Sequence, residues 1–359
     1  MNDKIKDALK EIQKKHKTST IVTGDSDDLK FDRIPIGITL LDDLIGGGFP
    51  TRRFTLLAGH YGSCKTFISL QIVKAMQEKG LTAAYIDGER SYDEAWFKTL
   101  GIDTESLIVA QPENGEKAFD IIIALLDAGI NLIIIDSLKS LNPGVVEEAS
   151  MEQNTMAQQA RMLNKGILKT IPHIGKDSMV IAINHMIANI GGYGSPESVP
   201  GGTQQHYMAS VELHLFRSSK IEETDSSKDR KYKGFKVRIY QKKNKVGGQE
   251  DKEIFIPFMF DGYLDNIAGI IEVAKALGII TNKGASYTMF EEKYFGQEKL
   301  KTALLEDDAL FNRLRKEIEE LVRPAEPIES HPEYNHLIHI FHSVSDQELD
   351  MLYSNCYCL

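Results

Sequence analysis

Cysteine is scarce: Cys64, Cys356 and Cys358 are the only three in 359 residues. That excludes a disulfide-stapled scaffold and points to a reducing compartment. No apolar run reaches the roughly 20 residues needed to cross a bilayer. The N-terminal "MNDKIKDALKEIQKK" carries charge where a signal peptide has its apolar core. A soluble cytoplasmic protein with no membrane association is expected. Tryptophan occurs once, as Trp96, and no internal repeat or low-complexity tract is present. Basic residues are outnumbered, 42 against 52 acids, for a net charge of −10. This excludes a general basic coat but not a local basic groove, because the field that matters is local. What is there, 42% hydrophobic and 26% charged residues, is ordinary globular composition. The length suits one large core and a small second domain.

Residues 1–16 read as an amphipathic helix with Ile5, Leu9 and Ile12 on one stripe. That stripe packs on its own domain or on a neighbouring subunit. A polar linker follows, with a short strand expected over 20–23. Then apolar runs alternate with helical periodicity. "RFTLLAG" (53–59), "TAAYIDGE" (82–89), "NLIIIDSL" (131–138) and "SMVIAINHM" (178–186) read as buried strands. "KTFISLQIVKAMQEKG" and "AFDIIIALLDAG" read as helices between them. This alternation predicts an α/β fold: a mostly parallel sheet with helices on both faces. Ligands of such sheets sit at the carboxyl ends of the strands, and Gly59, Glu89, Asp136 and His185 all fall there. After Gly201, "ASVELHLFRS", "GFKVRIYQKKNKV" and "KEIFIPFMFDG" read as three antiparallel strands extending the sheet. From residue 261 a small α+β unit is expected, two helices around the hairpin-like "YTMFEEKYFG". "RPAEPIESHPEY" then breaks the pattern before a C-terminal tail.

"GHYGSCKT", residues 59–66, fits the phosphate-loop pattern G-x-x-x-x-G-K-[ST] except at Cys64, where glycine is expected. Its context is right, a strand before and a helix after, so that backbone N–H groups and the helix N-terminus can cradle phosphates. Gly59, His60, Tyr61, Gly62, Ser63 and Cys64 would form the cradle. Lys65 would hold the β- and γ-phosphates, the Thr66 hydroxyl would ligate Mg²⁺, and Asp136 would be the second acid holding that ion. ATP and Mg²⁺ are the expected cofactors. Cys64 costs about 1–2 kcal/mol if its backbone is left-handed and almost nothing if it is helical. Its position beside Lys65 at a helix N-terminus favours a reactive thiolate. The competing expectation is a small, buried and inert side chain.

With these pieces placed, the chain resembles the RecA family of strand-exchange recombinases, in some details its UvsX-type phage members. The resemblance runs from the first helix to about residue 322. It rests on "IPIGITLLDDLIGGGFPTRRFTLLAG", "AAYIDGERSYDEAWFKTLGID", "VAQPENGEKAFDI", "IIIDSLKSLNP", "INH", "GSPESVPGGT" and "KKNKVGG", in that order. The UvsX-type members also lack the glycine before the P-loop lysine and carry "INH".

The resemblance implies a RecA-type P-loop ATPase core at 34–260, preceded by an N-terminal polymerisation helix and linker at 1–33. A small C-terminal domain at 261–323 and a tail at 324–359 follow. It implies a DNA-dependent ATPase that polymerises as a helical filament on single-stranded DNA and pairs it with double-stranded DNA. Glu89 matches the acid that activates water, as its place at a strand end also suggests. Asp93 and Trp96 match adenine contacts, and His185 matches the γ-phosphate sensor. Lys243 and Lys245 match lysines that reach a neighbouring subunit's γ-phosphate in trans. They end a stretch, 228–245, with nine Lys/Arg against one acid, Asp229. Two segments match the DNA loops, about 144–156 and 187–202. In these, Met156 would meet DNA, Arg161 and backbone amides would meet phosphates, and Ile190 would wedge between base triplets. Gly201 and Gly202 would let backbone N–H groups approach a phosphate, and Tyr207 matches a relay aromatic between the DNA and ATP sites.

Several features depart from the family pattern. The first loop carries Glu147, Glu148 and Glu152, and Leu168 stands where bacterial members have a second arginine. The tail has no acidic run. Its His336, His339, His342, Cys356 and Cys358 lack zinc-site spacing, so a docking helix is the better expectation. The terminal "CYCL" is a poor prenylation box. Two other functions fit parts of the pattern: a hexameric RecA-core motor of the replicative-helicase kind, and a low-turnover ATP-binding filament or regulator.

Overall fold

The apolar runs become strands because each is buried on both faces, where backbone groups find partners only in a ladder. The computed structural model describes residues 3–16, 21–144, 153–188, 197–222, 231–247 and 250–322. In chain order the first elements are α1 (Asp3–His16), β1 (Arg33–Ile34), α2 (Thr39–Leu44), β2 (Phe49–Pro50) and β3 (Phe54–Gly59). Next come α3 (Lys65–Glu78), β4 (Ala83–Asp87), α4 (Glu94–Thr99), β5 (Leu107–Ala110), α5 (Gly115–Asp127) and β6 (Leu132–Asp136). They are followed by α6 (Gln153–Thr170), β7 (Met179–His185), β8 (Ile187–Ala188), β9 (Glu197–Ser198) and α7 (Gln204–Met208). The sheet is completed by β10 (Val211–Glu222), β11 (Tyr232–Asn244), β12 (Lys252–Met259) and β13 (Tyr263–Leu264). The remaining elements are α8 (Asn266–Ala276), β14 (Ile280–Lys283), β15 (Ser286–Met289), β16 (Glu292–Phe295), α9 (Gln297–Glu306) and α10 (Asp308–Val322).

One nine-stranded sheet runs β13-β12-β11-β10-β3-β7-β6-β4-β5. From β10 to β5 every neighbouring pair is parallel, and β10 to β13 pair antiparallel. Thus β10, expected as antiparallel, joins β3 in parallel and only its other edge begins the antiparallel extension. Side chains alternate across the sheet. Leu56, Ile86, Ile135 and Ala182 face a core shared with Phe119 and Ile122 of α5 and with Leu163 and Ile167 of α6. Leu57, Tyr85, Ile134 and Ile183 point to the other side and are equally buried.

Register brings the strand ends together. Gly59 pairs with His185, and Asp87 with Asp136. Helix starts are fixed locally: Asn114 Oδ1 accepts from Lys117 N at 2.9 Å, and Asp93 Oδ1 from Trp96 N at 3.1 Å, both N-cap bonds. Residues 21–23 are irregular where a strand was expected. The helix α1 forms as its stripe implied. No helix among the described residues is long and apolar enough to cross a membrane.

The chain divides into two compact units, Met1–Ile270 and Ile271–Leu359. In the second, β14, β15 and β16 form a three-stranded antiparallel sheet, one strand more than the expected hairpin. Ile271, Ala274, Ile280, Met289, Leu300, Leu304 and Leu314 are its buried apolar residues.

Candidate functional site

The phosphate loop leaves the sheet at Gly59. A Cβ there would lie 2.3 Å from the Leu215 carbonyl oxygen and 2.6 Å from Ser63 Oγ, so only glycine fits between β3 and β10. The loop enters α3 at Lys65. Cys64, the N-cap, has φ 67° and ψ 19°, the left-handed conformation for which glycine is expected and a cysteine costs about 1–2 kcal/mol. Lys65 is buried; its Nζ donates to the His60 carbonyl at 2.7 Å, and Ser63 Oγ donates to the same oxygen at 2.7 Å. Burial lowers the Lys65 pKa, with the charges of Asp136 and Glu89 opposing it. Tyr61, at the loop's tip, is 93% exposed.

The Cys64 thiol is not activated. Burial raises its pKa, the nearby Arg217 and Lys65 charges lower it, and the balance stands at about 12. Of the two expectations for Cys64, desolvation outweighing charge favours the inert thiol.

Asp136, at the end of β6, is 3% exposed. Its Oδ2 accepts from Thr66 Oγ1 at 2.8 Å and from Tyr85 OH at 2.7 Å. Burial raises its pKa, the Tyr85 and Thr66 hydrogen bonds lower it, and the Glu89 charge raises it further. The Lys65 charge lowers it slightly, and the net direction is upward, with burial the largest cause. An oxygen-only pair, a part-buried hydroxyl and a buried carboxylate, suits a hard divalent cation such as Mg²⁺.

Glu89 lies just beyond β4. Its Oε1 accepts from Ser137 Oγ at 2.6 Å and lies 2.9 Å from His185 Nε2. Burial alone would raise its pKa. The Ser137 and His185 hydrogen bonds, with the His185 and Lys65 charges, outweigh burial and hold it below the usual carboxylate range. Buried Asp87 braces the segment carrying it, accepting from Ser91 N at 3.0 Å, Tyr92 N at 3.1 Å and Gln111 Nε2 at 2.8 Å. Glu89 is therefore an ionised acceptor, next to His185 and Ser137 at the strand ends and within range of the Lys65 and Asp136 charges.

Asp93 and Trp96 sit at the start of α4. Trp96 is 41% exposed, and its ring edge lies 3.1 Å from where a Cβ on Gly262 would stand. Lys243 and Lys245 lie elsewhere. Lys243 pairs with Glu212 on β10, and Glu212 pairs with Leu56 on β3. That is three residues, about 10 Å, back from Gly59 along the strand and two strand spacings across. Lys243 Nζ donates to the His206 carbonyl, and Lys245 Nζ donates to the Tyr207 carbonyl at 3.2 Å. Both are thus tied to the end of α7.

Of the expected DNA residues, Met156 and Arg161 are exposed on α6, and Ile190 lies outside the described residues. Gly201 and Gly202 have φ of 103° and 89°. A Cβ on Gly202 would meet Asn164 Oδ1 at 2.5 Å, so this pair is required for packing on α6 as well as for any ligand. Buried Asn184 donates to the Pro200 carbonyl and to Gln205 Oε1, both at 2.7 Å, anchoring the segment between β9 and α7.

Sequence reasoning missed Tyr85 and Ser137, the partners of Asp136 and Glu89. It also missed Arg217, whose guanidinium lies 4.0 Å from the Cβ position of Gly62 and stacks over Phe235 at 4.2 Å. The one available signal was periodicity: Tyr85 is two residues before Asp87, facing the same side of its strand.

The RecA N-terminal domain family matches residues 3–262. The chain is 32% identical over 320 residues to Protein RecA of Mycoplasma mobile, covering 88% of this chain and 95% of that one. It is 33% identical over 329 residues to Protein RecA of Mycoplasma mycoides subsp. mycoides, covering 90% and 93%. The crystal structure of the RadB recombinase aligns with 64% of this chain and 97% of that chain, at 18% identity and a TM-score of 0.48. With the family matched from α1 to the last edge of the large sheet, and with relatives of this identity along most of its length, the chain belongs to the RecA family and is a RecA-type recombination protein.

Proposed function

We propose that the protein is a cytoplasmic, single-stranded-DNA-dependent ATPase that forms a helical filament on DNA and catalyses homologous pairing and strand exchange. The observation that carries this reading is the alignment of strand ends joining Lys65, the Thr66–Asp136 pair and the Glu89–His185 pair. Lys65 and the loop N–H groups bind the triphosphate, Lys65 turning from the His60 carbonyl to the phosphates. Thr66 and Asp136 hold Mg²⁺, which when bound neutralises charge on the phosphate oxygens. Asp93 and Trp96 flank the base. Glu89, ionised at neutral pH, orients the attacking water and accepts its proton, a role worth about 10²–10⁴ in rate. His185 bonds both Glu89 and, in turn, the γ-phosphate.

Lys243 and Lys245 serve the neighbour's site, because their own loop is beyond the reach of a lysine side chain. Met156, Arg161, Ile190, Gly201 and Gly202 line the DNA path.

ATP hydrolysis with and without single-stranded DNA tests the reading. Lys65→Ala is expected to lose nucleotide binding. Glu89→Gln is expected to keep nucleotide and DNA binding while turnover falls at least about a hundredfold. Electron microscopy with single-stranded DNA and a non-hydrolysable ATP analogue is expected to show open helical filaments. Undiminished hydrolysis by Glu89→Gln would refute the catalytic assignment, and closed six-membered rings would favour the motor reading.

A further inference from the structure

The second residue of the phosphate loop makes a contact that the binding of phosphates does not need. His60 Nε2 lies 2.7 Å from Glu197 Oε1. Glu197 belongs to β9, which pairs with β8 through Ile187↔Ser198 and Ala188↔Glu197. This small hairpin frames the segment that resembles the second DNA loop. Its other strand is tied to the phosphate loop as well: Met186, the residue before β8, donates its N–H to the Gly59 carbonyl at 3.1 Å. Both strands of the hairpin are therefore fastened to consecutive residues of the loop, one through Gly59 and one through His60.

His60 is also where nucleotide must be felt. Its carbonyl accepts from both Lys65 Nζ and Ser63 Oγ. When Lys65 turns to phosphates, that carbonyl loses its charged partner and keeps only the Ser63 hydroxyl, which changes the hold on the residue whose ring meets Glu197. The pair is 42% and 32% exposed, so it adds little to folding stability. Its geometry suits communication better than support. The ring is further confined by Phe216 of β10, with centroids 6.4 Å apart.

We propose that the His60–Glu197 hydrogen bond is the positioning link through which nucleotide in the phosphate loop sets the second strand of the DNA-loop hairpin. It rests on the ATPase and DNA-binding reading above. Coupling between two ligands is reciprocal, so one ratio measures it: the dissociation constant of adenosine 5′-O-(3-thiotriphosphate) without oligothymidylate divided by that with it. The ratio divides out any change that His60→Ala makes to nucleotide affinity by itself.

His60→Ala and Glu197→Ala are each expected to lower this ratio about fivefold, the factor carried by one hydrogen bond of ordinary strength. The double variant is expected to lose no more than either single one, because both remove the same contact. His60→Gln, whose amide can still donate to Glu197, is expected to recover most of the ratio. Single variants that keep the parent's ratio, or a double variant whose loss is the product of the two, overturn the link. A parent whose nucleotide affinity ignores oligothymidylate, and whose hydrolysis is not stimulated by it, overturns the reading of the site and this inference with it.

Discussion

Alkylation of Cys64 measures whether desolvation or charge governs the phosphate loop. The thiol sits at a helix N-terminus, next to Lys65 and facing Arg217, and all three favour the thiolate. Burial acts the other way and wins, taking the pKa to about 12. Since the thiolate is the nucleophile, reactivity follows its population. At pH 8 a thiol of pKa about 12 is ionised in about one molecule in 10⁴, whereas a free thiol near 8.5 is about one-quarter ionised. The difference is about three orders of magnitude.

The assay is iodoacetamide labelling at pH 8, followed by mass spectrometry of the Cys64 peptide, for native protein and for protein unfolded in guanidinium. Native Cys64 is expected to react at least about a hundredfold more slowly, the remaining reactivity coming from local opening. The native rate should also keep rising with pH beyond 9, where a free thiol has levelled off. A native Cys64 that labels as fast as the unfolded chain would show that Lys65 and Arg217 dominate.

Three further outcomes are expected. Lys243→Ala and Lys245→Ala subunits should each lack DNA-stimulated hydrolysis, and mixing either with Glu89→Gln subunits should restore part of it; no recovery at any ratio would contradict a role in trans. DNA affinity should fall with salt at a slope of about −0.7 per phosphate contact, with little sequence preference, and Ile190→Gly should impair pairing more than binding; a salt-independent affinity would contradict this. Glu212, 3% exposed, is pushed up by burial but drawn down to about 2 by His206 Nδ1 at 3.0 Å and His214 Nε2 at 2.7 Å. An acid with a lowered pKa stabilises the fold above its ordinary value near 4.5 and loses that contribution as pH falls towards about 2. Urea unfolding should therefore show Glu212→Gln less stable by up to about 3 kcal/mol at pH 7, with the gap to the parent closing as pH drops below 4.5; a gap independent of pH would refute the assignment.

Most of the large sheet was legible because its central strands are buried on both sides, and that burial writes unbroken apolar runs such as "LIIID". The strand-end residues Gly59, Asp136 and His185 followed directly from where those runs stop. The edge was less legible. The short β5, "LIVA", is partly exposed and has no acid at its end to mark it. The direction of β10 could not be read, because parallel and antiparallel neighbours leave the same pattern on a strand with a buried end. Tyr85 and Ser137 escaped because their hydrogen bonds join residues about fifty positions apart in sequence, and periodicity marks only the face on which Tyr85 lies. Cys64 left two expectations open for a different reason: neighbouring charges are visible in sequence, while the desolvation that outweighs them depends on how the fold closes around the loop.

The register of the sheet carries the last step of the argument, and it concerns assembly. The phosphate loop that leads to Lys65 leaves the carboxyl end of β3 at Gly59, whereas Lys243 aligns through Glu212 with Leu56, near that strand's beginning. Three residues at about 3.3 Å each and two strand spacings of about 4.8 Å separate the backbones of Gly59, where the loop leaves the sheet, and Lys243 by about 14 Å, more than twice what a lysine side chain spans. The two lysines are also engaged with the His206 and Tyr207 carbonyls at the end of α7, the helix that follows Gly201 and Gly202. On the proposed reading, a subunit therefore carries one half of a hydrolytic site at each of two positions, P-loop and acids at one, Lys243 and Lys245 at the other. One chain cannot bring its own halves together by turning side chains. On that reading a second copy supplies the missing half, and a head-to-tail contact of this kind propagates into a filament unless its rotation closes a ring. DNA held beside Gly201 and Gly202 would act on α7 and so on the carbonyls that hold both lysines, which places the DNA signal on the neighbour's γ-phosphate rather than on the subunit's own.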